Sequence, residues 1–184
     1  LTLAAISAIM GIARGFFPIV DFDSLSYHLS VPKLYLLSGR IEYLPTIFYS
    51  NFPQTGAMPY MGALAAGAPA ASALFHAPFG ILTAFFIFFW MQRNFGSSAG
   101  ALAAAIFYRT PIVGLESPTA MVDRTATFYA AISILTLAGS GFEAEKNPPA
   151  DTSALAALFG GIAVSVKLTC APLLAMAAAW WLYS

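Results

Sequence analysis

Residues 72–91 contain no Asp, Glu, Lys or Arg, and this single run limits the possible folds more than any other feature. A helix rising 1.5 Å per residue crosses a hydrocarbon core of about 30 Å in about 20 residues. Residues 119–139, with Asp123 and Arg124 near their start, are a second largely apolar run of comparable length, in a chain that is 59% apolar and only 9% charged. The apolar residues are continuous rather than alternating, which favours helices over a barrel. In lipid every backbone N–H and C=O must be paired within the protein, and helices achieve this one segment at a time. The expected fold class is therefore all-α: a polytopic integral membrane protein with about six transmembrane helices, plus interfacial helices in a long first extracytoplasmic loop.

Zero formal net charge gives no electrostatic case for nucleic acid. Cys170 is the single cysteine, so there is no intrachain disulfide, and its spacing to either histidine is not that of a metal site. It reads as a small apolar helix residue. The chain starts without Met inside one apolar run and stops at the end of another. We therefore expect residues 1–184 to be a single transmembrane domain, the N-terminal part of a longer chain. The first segment lacks the basic region and cleavage site of a signal peptide.

Taken in order, residues 1–12 with Arg14 read as the end of a first span. A loop at 21–55 follows, with a short helix at 31–38 that Pro32 starts and Gly39 ends. Residues 57–66 read as an interfacial helix and 70–92 as a span with Pro78 as a kink. After a turn around Arg93, residues 99–113 return to a second loop at 114–124. A span then runs to about residue 139, residues 142–153 form a solvated loop containing Lys146, and 154–166 climb back to Lys167. This count puts Asp21, Asp23, Glu116 and Asp123 on one side, with Arg93 and Lys146 on the other.

Asp21, Asp23, His28, Lys33, Arg109, Glu116, Asp123, Arg124 and Lys167 then gather at one membrane face, with Arg40 in the same loop. Ionisable groups are costly near lipid and persist where they meet water, a cavity or one another. Transfer of a group from a phosphate-bearing lipid suits such a mixture. Cations neutralise a phosphate leaving group while a carboxylate takes the acceptor's proton. The Asp21-x-Asp23 pair also makes a divalent metal ion a candidate cofactor, held through carboxylate oxygens. Against this stand simpler readings: turn chemistry for Asp-x-Asp, snorkelling for Lys33, Arg40 and Lys167, and helix capping for Asp123.

Asp23-Ser-Leu-Ser-Tyr27-His28-Leu-Ser-Val-Pro32-Lys33, then Ser38-Gly39-Arg40-Ile41, Asn51-Phe52-Pro53, Val122-Asp123 and Gly160-Gly161-Ile-Ala-Val-Ser-Val-Lys167 resemble the N-terminal half of a GT-C membrane glycosyltransferase. Within that superfamily the pattern is most similar to bacterial proteins related to protein O-mannosyltransferases and lipid A aminoarabinose transferases. The resemblance implies a glycosyltransferase moving a hexosyl or pentosyl group from a polyprenyl-phosphate-linked donor to a lipid, glycan or protein acceptor. It implies a bacterial inner-membrane location, with the loops 21–55 and 114–124 on a periplasmic or extracellular catalytic face and membrane lipids as neighbours.

On the same resemblance Asp23 is the base or acceptor-orienting carboxylate, Asp123 the carboxylate of the second loop, and Lys167 the lysine of a Thr-Lys-Gly stretch. Asp21 substitutes for a glutamate that is Ser24 here. His28, Lys33, Arg40, Glu116, Arg124 and Lys167 form the substrate-binding set. Family members carry further spans and a C-terminal region, so residues 1–184 alone are expected to be inactive. A secondary transporter or lipid permease is the alternative, motivated by the broken apolar segments between Pro59 and Pro78. Charge points the other way on orientation: Lys33, Arg40, Arg109 and Arg124 crowd the face that the family places outside.

Overall fold

The structure, a computed structural model, describes residues 9, 12–13, 16–116, 119–142 and 150–183. The expected first span falls almost wholly outside the described residues, as do Lys146 and the middle of its loop. Every regular element among the described residues is helical, in agreement with the all-α expectation.

The first loop is itself folded. Ser24–His28 form one turn of π-helix, closed by the Leu29 N–H donating to the Ser24 carbonyl at 2.8 Å. It leads into α1 (Ser30–Ser38), where Pro32 lies in a first turn whose N–H groups need no helical partner. Gly39 ends α1 at φ 68°, the left-handed conformation that favours glycine. In the following stretch the Ser50 hydroxyl bonds both the N–H and the carbonyl of Leu44, at 3.3 and 3.2 Å. A 3-10 turn at Phe48–Asn51 precedes α2 (Tyr60–Ala65), which is shorter than the expected 57–66.

α3 (Ala71–Phe95) carries Pro78 internally and packs along α4 (Ser97–Arg109). Gly96 turns the chain between them at φ 90°. Their approach is close: a Cβ on Gly100 would sit 2.7 Å from the Phe88 carbonyl oxygen. The single helix expected at 99–113 is two, because Thr110 adopts ψ 122° ahead of Pro111, which opens α5 (Pro111–Leu115). A residue before proline is driven out of the helical region by the pyrrolidine ring. α6 (Asp123–Phe142) is the central helix, packed on α3, on α7 (Ala150–Val166) and on α8 (Cys170–Tyr183). Inter-helix hydrogen bonds tie it in place: Trp90 Nε1 donates to Leu135 O at 2.7 Å and, fully buried, Ser133 Oγ to Ala156 O at 2.8 Å.

Among the described residues one helix, Ala71–Phe95, is long and apolar enough to cross a membrane, while Thr152–Val166 and Cys170–Trp180 are apolar but shorter. Small residues such as Ala73, Ala77, Ala126 and Ala163 are buried, whereas Phe85, Phe89, Leu102, Ile106 and Met176 are exposed. The polar side chains of Ser72, His76, Thr83 and Arg124 are buried as well.

Candidate functional site

The start of α6, the end of α7 and the first loop meet at one end of the helix bundle. Lys167, the residue after α7, donates from Nζ to Asp123 Oδ1, and both side chains remain about a third exposed (38% and 30%). Asp123 is the first residue of α6, where a carboxylate is favoured by the N-terminal N–H groups. Arg93 lies in the last turn of α3. The His76 imidazole near the start of α3 bonds the N–H of Arg124 at 3.0 Å, so a rise of 1.5 Å per residue places Arg93 about 25 Å from the Asp123 end.

Beside the ion pair lies a cavity of about 330 Å³, walled by Tyr27, His28, Tyr49, Phe52, Leu168 and Pro172, with Lys167, Gln54 and Thr169 as polar members. The π-turn carries Tyr27 and His28 to the cavity wall. Ser24 and His28, four residues apart, share the inward side of this turn and are both buried, and π-turns recur at functional sites. The rings of Tyr27 and Tyr49 stack at 4.4 Å, and His28 tilts against Tyr27 at 4.2 Å. Leu29, Ala57, Tyr60, Val122, Ala126 and Val166 form an apolar cluster that adjoins the cavity, Val122 and Val166 lining it, and half-buried Cys170 packs against it as an apolar residue.

Burial pushes the His28 imidazole down to about 4; the Lys167 charge adds to the effect and Asp123 opposes it. The ring is thus neutral at physiological pH and able to accept a hydrogen bond. Tyr27 is pushed up to about 12, first by burial and then by Asp23, Asp123 and Asp21, so its phenol stays protonated. Glu116 is raised by burial and by Asp123, with Lys167 and Arg124 opposing, which puts its carboxyl within the field of the same pair.

The two first-loop carboxylates differ in their engagement. Asp21 Oδ2 accepts the Ser24 N–H at 2.9 Å, a cap on the π-turn. The Asp23 carboxylate, half-buried and close enough to raise Tyr27, has no hydrogen bond or ion pair among the described residues. Among the described residues no group of three or more His, Cys, Asp or Glu side chains gathers to hold a metal ion.

The other expected substrate-binding residues are dispersed. Lys33 is exposed on α1 without an ion pair among the described residues. Arg40 pairs with Glu42 at 2.7 Å, its side chain 73% exposed. Arg124 is 3% exposed: its Nη1 donates to Ala77 O at 3.3 Å, its Nη2 donates to Val113 O, and its guanidinium lies 5.9 Å from the Tyr108 ring centroid. Its place is in the packing of α3, α4, α5 and α6 rather than at the cavity wall.

Three buried side chains escaped the sequence reading, and all hold the segment leading into α6. Ser24 Oγ accepts the Ala120 N–H at 3.0 Å. Tyr60 O–H donates to the Met121 carbonyl. His76 Nε2 accepts the Arg124 N–H at 3.0 Å. The available signal was the isolation of His76 and Tyr60 in apolar surroundings, where a polar group needs a partner. Comparison with protein-family models, with curated proteins and with solved structures finds no match to this chain.

Proposed function

We propose that this chain is part of a polytopic membrane glycosyltransferase of GT-C type that moves a sugar from a polyprenyl-phosphate donor to a hydroxyl- or amine-bearing acceptor. The observation that carries the reading is the Asp123–Lys167 pair, whose Lys167 lines an apolar, aromatic-walled cavity, together with Asp23, which lies within the field of the cavity-wall residue Tyr27 and has no hydrogen bond or ion pair among the described residues. The membrane part rests on the distribution of side chains. Large apolar residues face outward and small ones line the helix contacts, the arrangement expected where lipid surrounds the bundle and close helix approach drives packing.

In the reaction, the Lys167 ammonium has three N–H donors, and Asp123 takes one and orients the rest. The remaining donors face the donor's phosphate. The acceptor O–H or N–H gives its proton to Asp23 as the acceptor atom bonds the anomeric carbon. The bond from that carbon to the phosphate oxygen breaks, and its electron pair leaves on the phosphate beside Lys167. Neutral His28 offers a further hydrogen bond in the same cavity. Placement of charge at helix ends rather than midway along broken helices favours this reading over a transporter. The same reading puts the site on the periplasmic face of a bacterial plasma membrane.

Transfer of radiolabelled sugar from a polyprenyl-phosphate donor by the full chain in proteoliposomes tests the proposal. Turnover that Asp23→Asn removes would support it. Absence of transfer across hexosyl and pentosyl donors, with the protein folded, would overturn it.

A further inference from the structure

We infer that Ser24, Tyr60 and His76 are positioning residues: together they fix the backbone at residues 120–124, so that the Asp123 carboxylate meets Lys167. The three side chains come from separate elements, the π-turn, α2 and α3, and are 0%, 1% and 0% exposed. Each makes one hydrogen bond to the main chain of that segment, at Ala120 N–H, Met121 C=O and Arg124 N–H, so the handles flank Asp123 on both sides. A loop entering a helix has few backbone partners of its own and is free to shift unless side chains satisfy it.

The clamp links the first loop to the ion pair as well. Asp21 holds the Ser24 N–H, Ser24 holds Ala120, and Asp123 follows three residues later. Two hydrogen bonds thus tie the first-loop carboxylate to Ala120, and the backbone carries the link on to Asp123. Gly56 admits the segment from the other side, since a Cβ there would lie 2.8 Å from Val122 Cγ1 and from Val166 Cγ1. The importance of this geometry for turnover rests on the function proposed above; the geometry itself does not.

The test reads the ion pair directly. In the full chain in detergent, the rate at which an amine-reactive acylating reagent labels Lys167 is measured by mass spectrometry at several pH values, with exposed Lys33 as internal reference. Asp123→Asn sets the ratio for a broken pair. An exposed or half-exposed ion pair protects its amine by about two- to fivefold, so Tyr60→Phe, Ser24→Ala and His76→Leu should each raise the Lys167:Lys33 ratio toward the Asp123→Asn value. His76→Gln, which retains an acceptor, should restore it to near wild type. Ser133→Ala removes a buried bond of the same kind between α6 and α7 away from the segment and should leave the ratio unchanged. Wild-type ratios in all three clamp variants would overturn the inference, as would an equal rise in Ser133→Ala. Because labelling needs no turnover, an inactive protein with a shifted ratio refutes the transferase reading alone.

Discussion

Lys167 and Asp123 are 44 residues apart in the chain and form an ion pair between the end of α7 and the start of α6. The pair is only partly screened from water, so its contribution to stability is small, about 0–1 kcal/mol. Its consequence is geometric: it keeps an ammonium at the cavity wall with donors to spare.

The difference between Asp21 and Asp23 makes the first prediction. Asp23→Asn should lower transfer on the order of 10²–10⁴-fold, the usual contribution of a general base, with an unchanged melting profile. Asp21→Ala removes a cap and should cost about 1 kcal/mol of stability, with a smaller loss of rate. Initial rates and thermal melts of the two variants check this; equal kinetic losses would remove the distinction.

Arg124 gives the second. Its buried guanidinium serves the carbonyls of Ala77 and Val113, so Arg124→Met should destabilise the protein by about 1.5–3 kcal/mol, the scale of hydrogen bonds to a charged group. Donor affinity of the folded fraction should be unchanged. Ligand binding measured below the melting transition separates this scaffold role from phosphate binding.

Gly80 faces that same guanidinium. A Cβ there would lie 2.8 Å from Arg124 Nη1 and 2.9 Å from its Cζ, so Gly80→Ala should cost about 1–3 kcal/mol by overpacking. Pairing it with Arg124→Met should recover part of the loss. A strictly additive double variant, read by chemical or thermal denaturation, would contradict the contact.

These residues also mark what was legible in the sequence. Pro32 and Gly39 announced α1 because proline fits a first turn and glycine fits a left-handed cap, and both act within a few residues. Lys167 could be placed at a helix end by counting helix rise. The long apolar run gives α3 nearly in full, whereas the break at Thr110–Pro111, between α4 and α5, interrupts a stretch that reads as one helix. Partners were not legible. Arg124 looks in sequence like any cation near a loop, and only the packing of α3 and α6 reveals that carbonyls take its donors. The π-turn was hidden for a similar reason, since its fifth-residue hydrogen bond leaves no periodic pattern.

His28 predicts a pH response. Its folded value of about 4 lies below the ordinary 6.5, so between those pH values the unfolded imidazole takes up a proton that the folded one refuses. Stability from this group is complete above about pH 6.5 and is lost as pH falls toward about 4. The loss is about 3 kcal/mol in total, at 1.36 kcal/mol for each unit of difference. His28→Gln should flatten that part of the curve when denaturation midpoints are followed from pH 7 to 4. A variant as acid-sensitive as wild type would assign the response to another group.

The account turns most directly on the affinity of the full chain for a polyprenyl-phosphate donor, compared between wild type and Lys167→Met in the same detergent at several salt concentrations. The substitution keeps an apolar stem and removes the charge beside the cavity. A loss of one charge-assisted contact should weaken donor binding by about tenfold or more, and the salt dependence of binding should shrink. Equal affinities and equal salt dependence would leave Lys167 a helix-end residue and contradict the assignment of this cavity to a lipid phosphate.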